Sequence, residues 1–277
     1  MSSTRPRKPA PGGIGVFDSG IGGLTVLKAL RATLPPGERL LYLGDTARVP
    51  YGTKSDETVV RYALEGARFL GRLGIKALVV ACNTMSAVAL PVLKHELPFP
   101  VVGVIGPGAE AACRATQRRV IGVIGTAATI KSGAYPRAIA HHLPDARVES
   151  RACPLFVPLA EEGWVDNDVA RAAAEAYLGS LRGSGIDTLV LGCTHYPLLK
   201  PVIGATMGPG VALVDSAEAT ARVVRGRLAE KGLLAGDGAR PEAEHFYVTD
   251  SSERFHEVGS RFLGGRLDRL ELVDISG

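Results

Sequence analysis

The feature that most constrains this chain is a regular alternation of two kinds of run. Short β-rich stretches, most of them apolar, recur at residues 14–17, 40–43, 77–81, 101–105, 120–124, 147–151, 188–191, 212–214, 246–248 and 269–272. Longer amphipathic stretches lie between them, at 22–33, 56–73, 84–96, 109–116, 130–142, 166–183, 196–206, 217–231 and 252–263. The short runs are mostly continuous in hydrophobicity, as expected for strands covered on both faces. Strand–helix alternation of this kind predicts an α/β fold with mainly parallel sheets. Ser55 and Asp166 stand where helix N-caps are needed. A length of 277 residues allows one large or two medium domains. Such a chain buries enough apolar surface to need no disulfide or metal staple.

The alternation also contains a repeat. Residues 78–82 read Leu-Val-Val-Ala-Cys and residues 189–193 read Leu-Val-Leu-Gly-Cys, 111 positions later. Gly15-Val16-Phe17-Asp18-Ser19-Gly20 and Gly122-Val123-Ile124-Gly125-Thr126-Ala127 form a second pair at an offset of 107. Two matches at similar offsets point to two related α/β halves. Spacings above 100 exclude solenoids, whose periods are about 20–50 residues.

Composition narrows the function classes. The net charge is only +4 and aromatic residues make up 5%. The arginines are scattered along the chain, so nucleic acid is not expected as the main partner. Four cysteines without a CxxC pair argue against a disulfide framework or a zinc ribbon. No apolar run is long enough to span a membrane. Residues 1–13 are basic and proline-rich without an apolar core, and are expected to be a disordered tail. The chain is therefore expected in the cytoplasm, with reduced thiols available for chemistry. It carries no P-loop, no G-x-G-x-x-G, no G-x-S-x-G and no H-E-x-x-H.

In open parallel sheets, ligands bind beyond the carboxyl ends of the strands. Four segments place polar groups there: Asp18-Ser19-Gly20, Cys82-Asn83-Thr84, Thr126, and Cys193-Thr194-His195. Each is followed by a predicted helix, whose N-terminus favours anions such as carboxylates. Cys82 and Cys193 occupy matching places in the two halves, and a helix N-terminus lowers a thiol pKa. A thiolate and a thiol on opposite sides of a substrate remove a proton from one face and deliver one to the other. The alternative is that both are inert strand-end hydrophobes. Asp18 is either a partner of the neighbouring thiol or a plain turn residue. His195 either pairs with a thiol or substrate carboxylate, or is a satisfied helix-start histidine. Cys113, Cys153 and the other five histidines are expected to be structural. Two other classes stay open. One is a cysteine-nucleophile amidohydrolase, which needs only one thiol. The other is a non-enzymatic two-lobed binding module.

Taken together, several motifs resemble the glutamate racemases of the aspartate/glutamate racemase superfamily. They are the segment from Gly15 to Leu24, Gly44-Asp45-Thr46-Ala47-Arg48-Val49-Pro50-Tyr51-Gly52, Ala81-Cys82-Asn83-Thr84, Val123-Ile124-Gly125-Thr126 with Thr129, the segment from Cys153 to Gly163, Gly192-Cys193-Thr194-His195-Tyr196-Pro197, and Val214-Asp215-Ser216-Ala217. The resemblance implies two pseudo-symmetric doubly wound α/β domains with the active site in the cleft between them. One domain would comprise 14–105 plus 215–277, and the other 106–214. It implies cofactor-free and metal-free interconversion of L- and D-glutamate, feeding peptidoglycan synthesis, in a protein that often dimerises. Cys82 and Cys193 become the acid/base pair, with Cys82 acting on D-glutamate and Cys193 on L-glutamate. Asp18 and His195 assist the thiols, and Glu161 tunes His195. Substrate contacts are implied for Asp18, Ser19, Tyr51, Gly52, Asn83, Thr84, Thr126, Thr129, Thr194 and His195. Aspartate racemases and racemases of related acids share the superfamily.

Overall fold

The computed structural model describes residues 12–236 and 244–275. The tail expected at residues 1–13 lies outside the described residues except for Gly12 and Gly13, and Gly13 already opens the first strand. All ten short runs contain a strand. They are β1 (Gly13–Asp18), β2 (Leu40–Gly44), β3 (Ile75–Val80), β4 (Val101–Gly103), β5 (Val120–Gly125), β6 (Arg147–Ala152), β7 (Thr188–Gly192), β8 (Ala212–Asp215), β9 (His245–Val248) and β10 (Leu270–Leu272).

Two separate sheets result. One has the order β10-β9-β2-β1-β3-β4 and the other β6-β5-β7-β8. Every strand pair in both is parallel. In the first sheet, Ile14 and Val16 of β1 pack into one apolar core while Phe17 packs into another. In the second, Leu189 and Leu191 of β7 face one core and Val190 the opposite one. Helices therefore cover both faces, which is why these strands read as continuous apolar runs. This is the expected two-domain α/β fold. The first sheet takes its last two strands from the C-terminal part of the chain, after the second sheet has been completed.

The helices are α1 (Leu24–Thr33), α2 (Asp56–Arg72), α3 (Asn83–Val88), α4 (Leu90–Glu96), α5 (Ile105–Ala115), α6 (Ala127–Lys131), α7 (Ala134–His142), α8 (Phe156–Glu161), α9 (Asp168–Leu178), α10 (Lys200–Met207), α11 (Ser216–Glu230) and α12 (Ser252–Leu263). Ser55 caps α2 by accepting the Thr58 N–H at 3.3 Å. The cap of α9 is Asn167, not Asp166, and it accepts the Ala170 N–H at 2.9 Å.

Three expected helices are interrupted. The run at 84–96 divides at Ala89, and Pro91 falls in the first turn of α4, where its missing N–H costs nothing. The run at 130–142 divides at Gly133, whose φ of +63° no helix accommodates. The run at 196–206 opens with a 3-10 turn over Tyr196–Leu199 before α10. The strand expected to reach residue 105 stops at Gly103, and α5 begins there instead. Helix α8 is too short for its periodicity to show in sequence. Helix α11 packs against α1 and α5, and so joins the two halves.

Candidate active site

The carboxyl ends of β1, β3, β5 and β7 converge on a cavity of about 70 Å³. Its lining includes Ser19, Tyr51, Gly52, Cys82, Asn83, Thr84, Thr126, Glu161, Cys193, Thr194 and His195. The two matched cysteines thus reach one cavity from different sheets, each buried to 6% exposure. Cys113 and Cys153 lie away from it. Cys153 is fully buried in an apolar core, and Cys113 faces the Ile139 carbonyl at 3.8 Å.

The surroundings of the two thiols differ. Cys82 is the N-cap of α3, and its Sγ accepts the Met85 N–H at 3.4 Å. Burial, reinforced by the negative charge of Asp18, pushes its pKa up to about 12, against the favourable N-terminal position. Cys193 instead has an imidazole beside it, with Sγ 3.8 Å from His195 Nδ1. On the other side of that ring, Nε2 lies 3.0 Å from Glu161 Oε1. Burial disfavours the imidazolium, but the hydrogen bonds to Cys193 and Glu161 outweigh it and raise His195 to about 10. Burial likewise opposes ionisation of Glu161, yet His195 and Arg254 hold its carboxyl below the usual carboxylate range. The imidazolium is thus placed to donate to Cys193 Sγ on one side and to the Glu161 carboxylate on the other. Cys82 keeps its proton.

Asp18, at the end of β1, is 1% exposed and does not line the cavity. Its Oδ2 accepts the Gly20 N–H at 2.9 Å, and its Oδ1 has no hydrogen-bond partner. Burial raises its pKa, opposed by His195 and the Gly20 and Gly23 backbone. Gly23 is required here, because a Cβ would lie 2.5 Å from the Asp18 Cβ.

Three hydroxyls form a triangle between the halves. Thr84 Oγ1 is 2.9 Å from Thr126 Oγ1 and 3.2 Å from Thr129 Oγ1, and Thr126 and Thr129 are 3.0 Å apart. Thr129 stands behind the other two, outside the cavity lining. Asn83 accepts the Tyr135 hydroxyl at 2.7 Å through Oδ1, while its buried Nδ2 has no partner. Tyr51 donates its hydroxyl to the fully buried carboxylate of Asp45, which also accepts from Arg48 and Thr249. That carboxylate anchors the segment bearing Tyr51 and Gly52.

Ile21, Val49, Pro50 and Val157 also line the cavity, and Arg254 reaches Glu161 from behind. Sequence reasoning did not single these out as site residues. Val49 and Pro50 lie inside a recognised motif, but spacing does not reveal where an apolar side chain points. Arg254 is 93 positions from Glu161 and carries no motif signal. Among the described residues, no group of three or more His, Cys, Asp or Glu could hold a metal ion, and no helix is long and apolar enough to cross a membrane.

Two parallel sheets meeting at a cavity that carries one thiol from each define a racemase-type α/β protein. Residues 24–224 match the Asp/Glu/hydantoin racemase family, and the chain belongs to it. It is 58% identical over 266 residues to a glutamate racemase of Geobacter metallireducens, covering 95% of this chain and 96% of that protein. It superposes on glutamate racemase isoform RacE1 of Bacillus anthracis with a TM-score of 0.91 at 41% identity, covering 96% of this chain and 98% of the other. The glutamate racemase of Francisella tularensis in complex with D-glutamate gives a TM-score of 0.90 at 39% identity, covering 97% and 99%.

Proposed function

We propose that this chain is a cofactor-independent glutamate racemase working by proton exchange between two thiols. The observation that carries the reading is that Cys82 and Cys193, matched in the repeat, line one cavity in different protonation environments. The similarity to glutamate racemases, one of them bound to D-glutamate, favours glutamate as the substrate.

In this reading, the Cys193 thiolate takes the Cα proton of L-glutamate and the Cys82 thiol delivers its own to the opposite face, giving D-glutamate. The sulfurs exchange roles in the reverse direction. Two thiolates in one cavity would repel, so the pair shares one proton and titrates as a unit. The unpartnered Asn83 Nδ2 and the threonine triangle supply donors for substrate carboxylate. Asp18 acts through its charge on Cys82 and on the substrate ammonium. His195, oriented by Glu161, assists the thiol of Cys193. Thr194, Ser19, Tyr51 and Gly52 complete the walls.

We place the enzyme in the cytoplasm as a homodimer, supplying D-glutamate for peptidoglycan. Its domains follow the two sheets, 14–105 with 215–277 and 106–214, with Asp215 at the boundary. The test is incubation with L-glutamate in D₂O without added cofactor. Solvent deuterium should enter at Cα as optical rotation decays, and Cys82→Ala and Cys193→Ala should each abolish this. Ammonia release would instead identify an amidohydrolase, and full activity in both alanine variants would overturn the two-thiol reading.

A further inference from the structure

Helix α12 belongs to the first sheet's half of the molecule, between β9 and β10, yet three of its residues grip the acid/base group of the second half. Arg254 Nη2 lies 3.3 Å from Glu161 Oε2 and 3.4 Å from Glu162 Oε1. Arg261 donates to the Glu161 carbonyl at 2.9 Å. The Phe262 ring meets the His195 ring edge-on, with centroids 5.2 Å apart at 78°. Positions 254, 261 and 262 are spaced to share one helix face. The neighbouring chain conforms to this grip. Gly163 has a φ of +75°, and a Cβ there would stand 2.4 Å from the Arg261 guanidinium.

These contacts continue as a chain of polar pairs. Arg254 meets one oxygen of Glu161, the other oxygen meets His195 Nε2, and His195 Nδ1 meets Cys193 Sγ. Glu161 is the joint, pinned by a different partner on each carboxylate oxygen. Without Arg254 the carboxylate is free to turn toward solvent, since its side chain is already 25% exposed. The charges facing this group are Asp18 from β1, Glu162 just after α8, His195 and Cys193 after β7, and Arg254 and Arg261 from α12. Arg254 reaches the carboxylates of both Glu161 and Glu162.

We infer that Arg254 is a positioning residue for proton transfer at Cys193, acting from the opposite half of the molecule through Glu161 and His195. The inference rests on the two-thiol reading for its role in turnover, but the contact chain can be tested without it. Losing Arg254 weakens the support of Cys193 in two ways that add. A cation leaves the cluster, and the carboxylate that holds the imidazolium loosens. Cys82 sits outside this chain and feels the change only through the proton it shares with Cys193.

The experiment compares native protein, Arg254→Gln and Arg254→Lys in the rate of iodoacetamide alkylation at each cysteine between pH 6 and 9, resolved by peptide mass spectrometry. Glutamate is absent, so a failure of the racemase reading leaves this measurement intact. The expected result is alkylation of Cys193 about two- to fivefold slower in Arg254→Gln, the size a half-exposed ion pair supports. Cys82 should not slow with it, and Arg254→Lys should recover most of the native rate. In a parallel racemisation assay, kcat should fall by a similar factor with KM unchanged, because Arg254 does not line the cavity. A loosened fold would speed alkylation at both thiols together. That outcome, or an unchanged Cys193 rate, overturns the inference. If native protein fails to racemise glutamate while the alkylation difference appears, the functional reading fails and the positioning chain stands.

Discussion

At the scale of residues, the two thiols that look equivalent in sequence have different surroundings. Burial and Asp18 raise the pKa of Cys82, while Cys193 has the His195 ring beside its sulfur. The enantiomers of glutamate have equal free energy, so kcat/KM is the same in both directions for every variant. Asymmetry must therefore be read from isotope effects. In Cys193→Ser the step at position 193 becomes limiting. The Cα-deuterium effect on kcat/KM should grow for L-glutamate and shrink for D-glutamate, and Cys82→Ser should show the reverse. Equal effects in both directions would deny each thiol its own face. His195 also links stability to pH. Its folded pKa of about 10 lies above the ordinary value of about 6.5. Its contribution is therefore complete below about pH 6.5 and disappears as pH rises through about 10. The gap in urea midpoint between native protein and His195→Asn should narrow over that range, and a gap that widened would contradict the assigned charge state.

At the scale of elements, strands were easier to read than helices. The inner strands β1, β2 and β7 are buried along their whole length, so hydrophobicity alone reveals them, whereas the edge strands β6, β8 and β10 are partly exposed and show less of it. The helix breaks depend on single residues, the positive φ of Gly133 and the ring of Pro91, which periodicity does not register. The cap at Asn167 displaced the neighbouring Asp166 by one position, because only its side chain reaches the Ala170 N–H. The start of α1 carries a tighter constraint. A Cβ on Gly22 would lie 2.2 Å from Thr194 Oγ1 and 2.4 Å from His195 Nδ1. This glycine lets a loop of the first sheet approach the turn of the second that bears Thr194 and His195. Gly22→Ala should displace that turn. We expect activity to fall by more than tenfold while stability drops by roughly 1–3 kcal/mol, as for an overpacked core site. Far-ultraviolet circular dichroism should be unchanged, and native turnover by this variant would show that the turn has slack.

At the scale of the whole molecule, the repeat predicted that Cys82 and Cys193 would meet, because related halves can present the same strand end to a shared cleft. It could not predict what surrounds them. The rim at Val49 and Val157 and the reach of Arg254 across the cleft depend on how the halves dock, which no local pattern encodes. Docking also determines how substrate binding couples to stability. Thr84 comes from one sheet's half and Thr126 and Thr129 from the other, so a ligand held by the triangle joins both. Helix α11, packed on α1 and α5, gives them a second connection. D-Glutamate at 100 times its Kd should stabilise the native state by about 2.7 kcal/mol. For a chain of this size that is roughly 5–10 °C in Tm. With the ligand held by hydroxyls of both halves, as proposed, the protein should melt in one transition that moves as a unit. Thr84→Val removes the first half's hydroxyl and should reduce the shift. Two transitions, only one of them responding to D-glutamate, would show instead that the ligand is held by a single half.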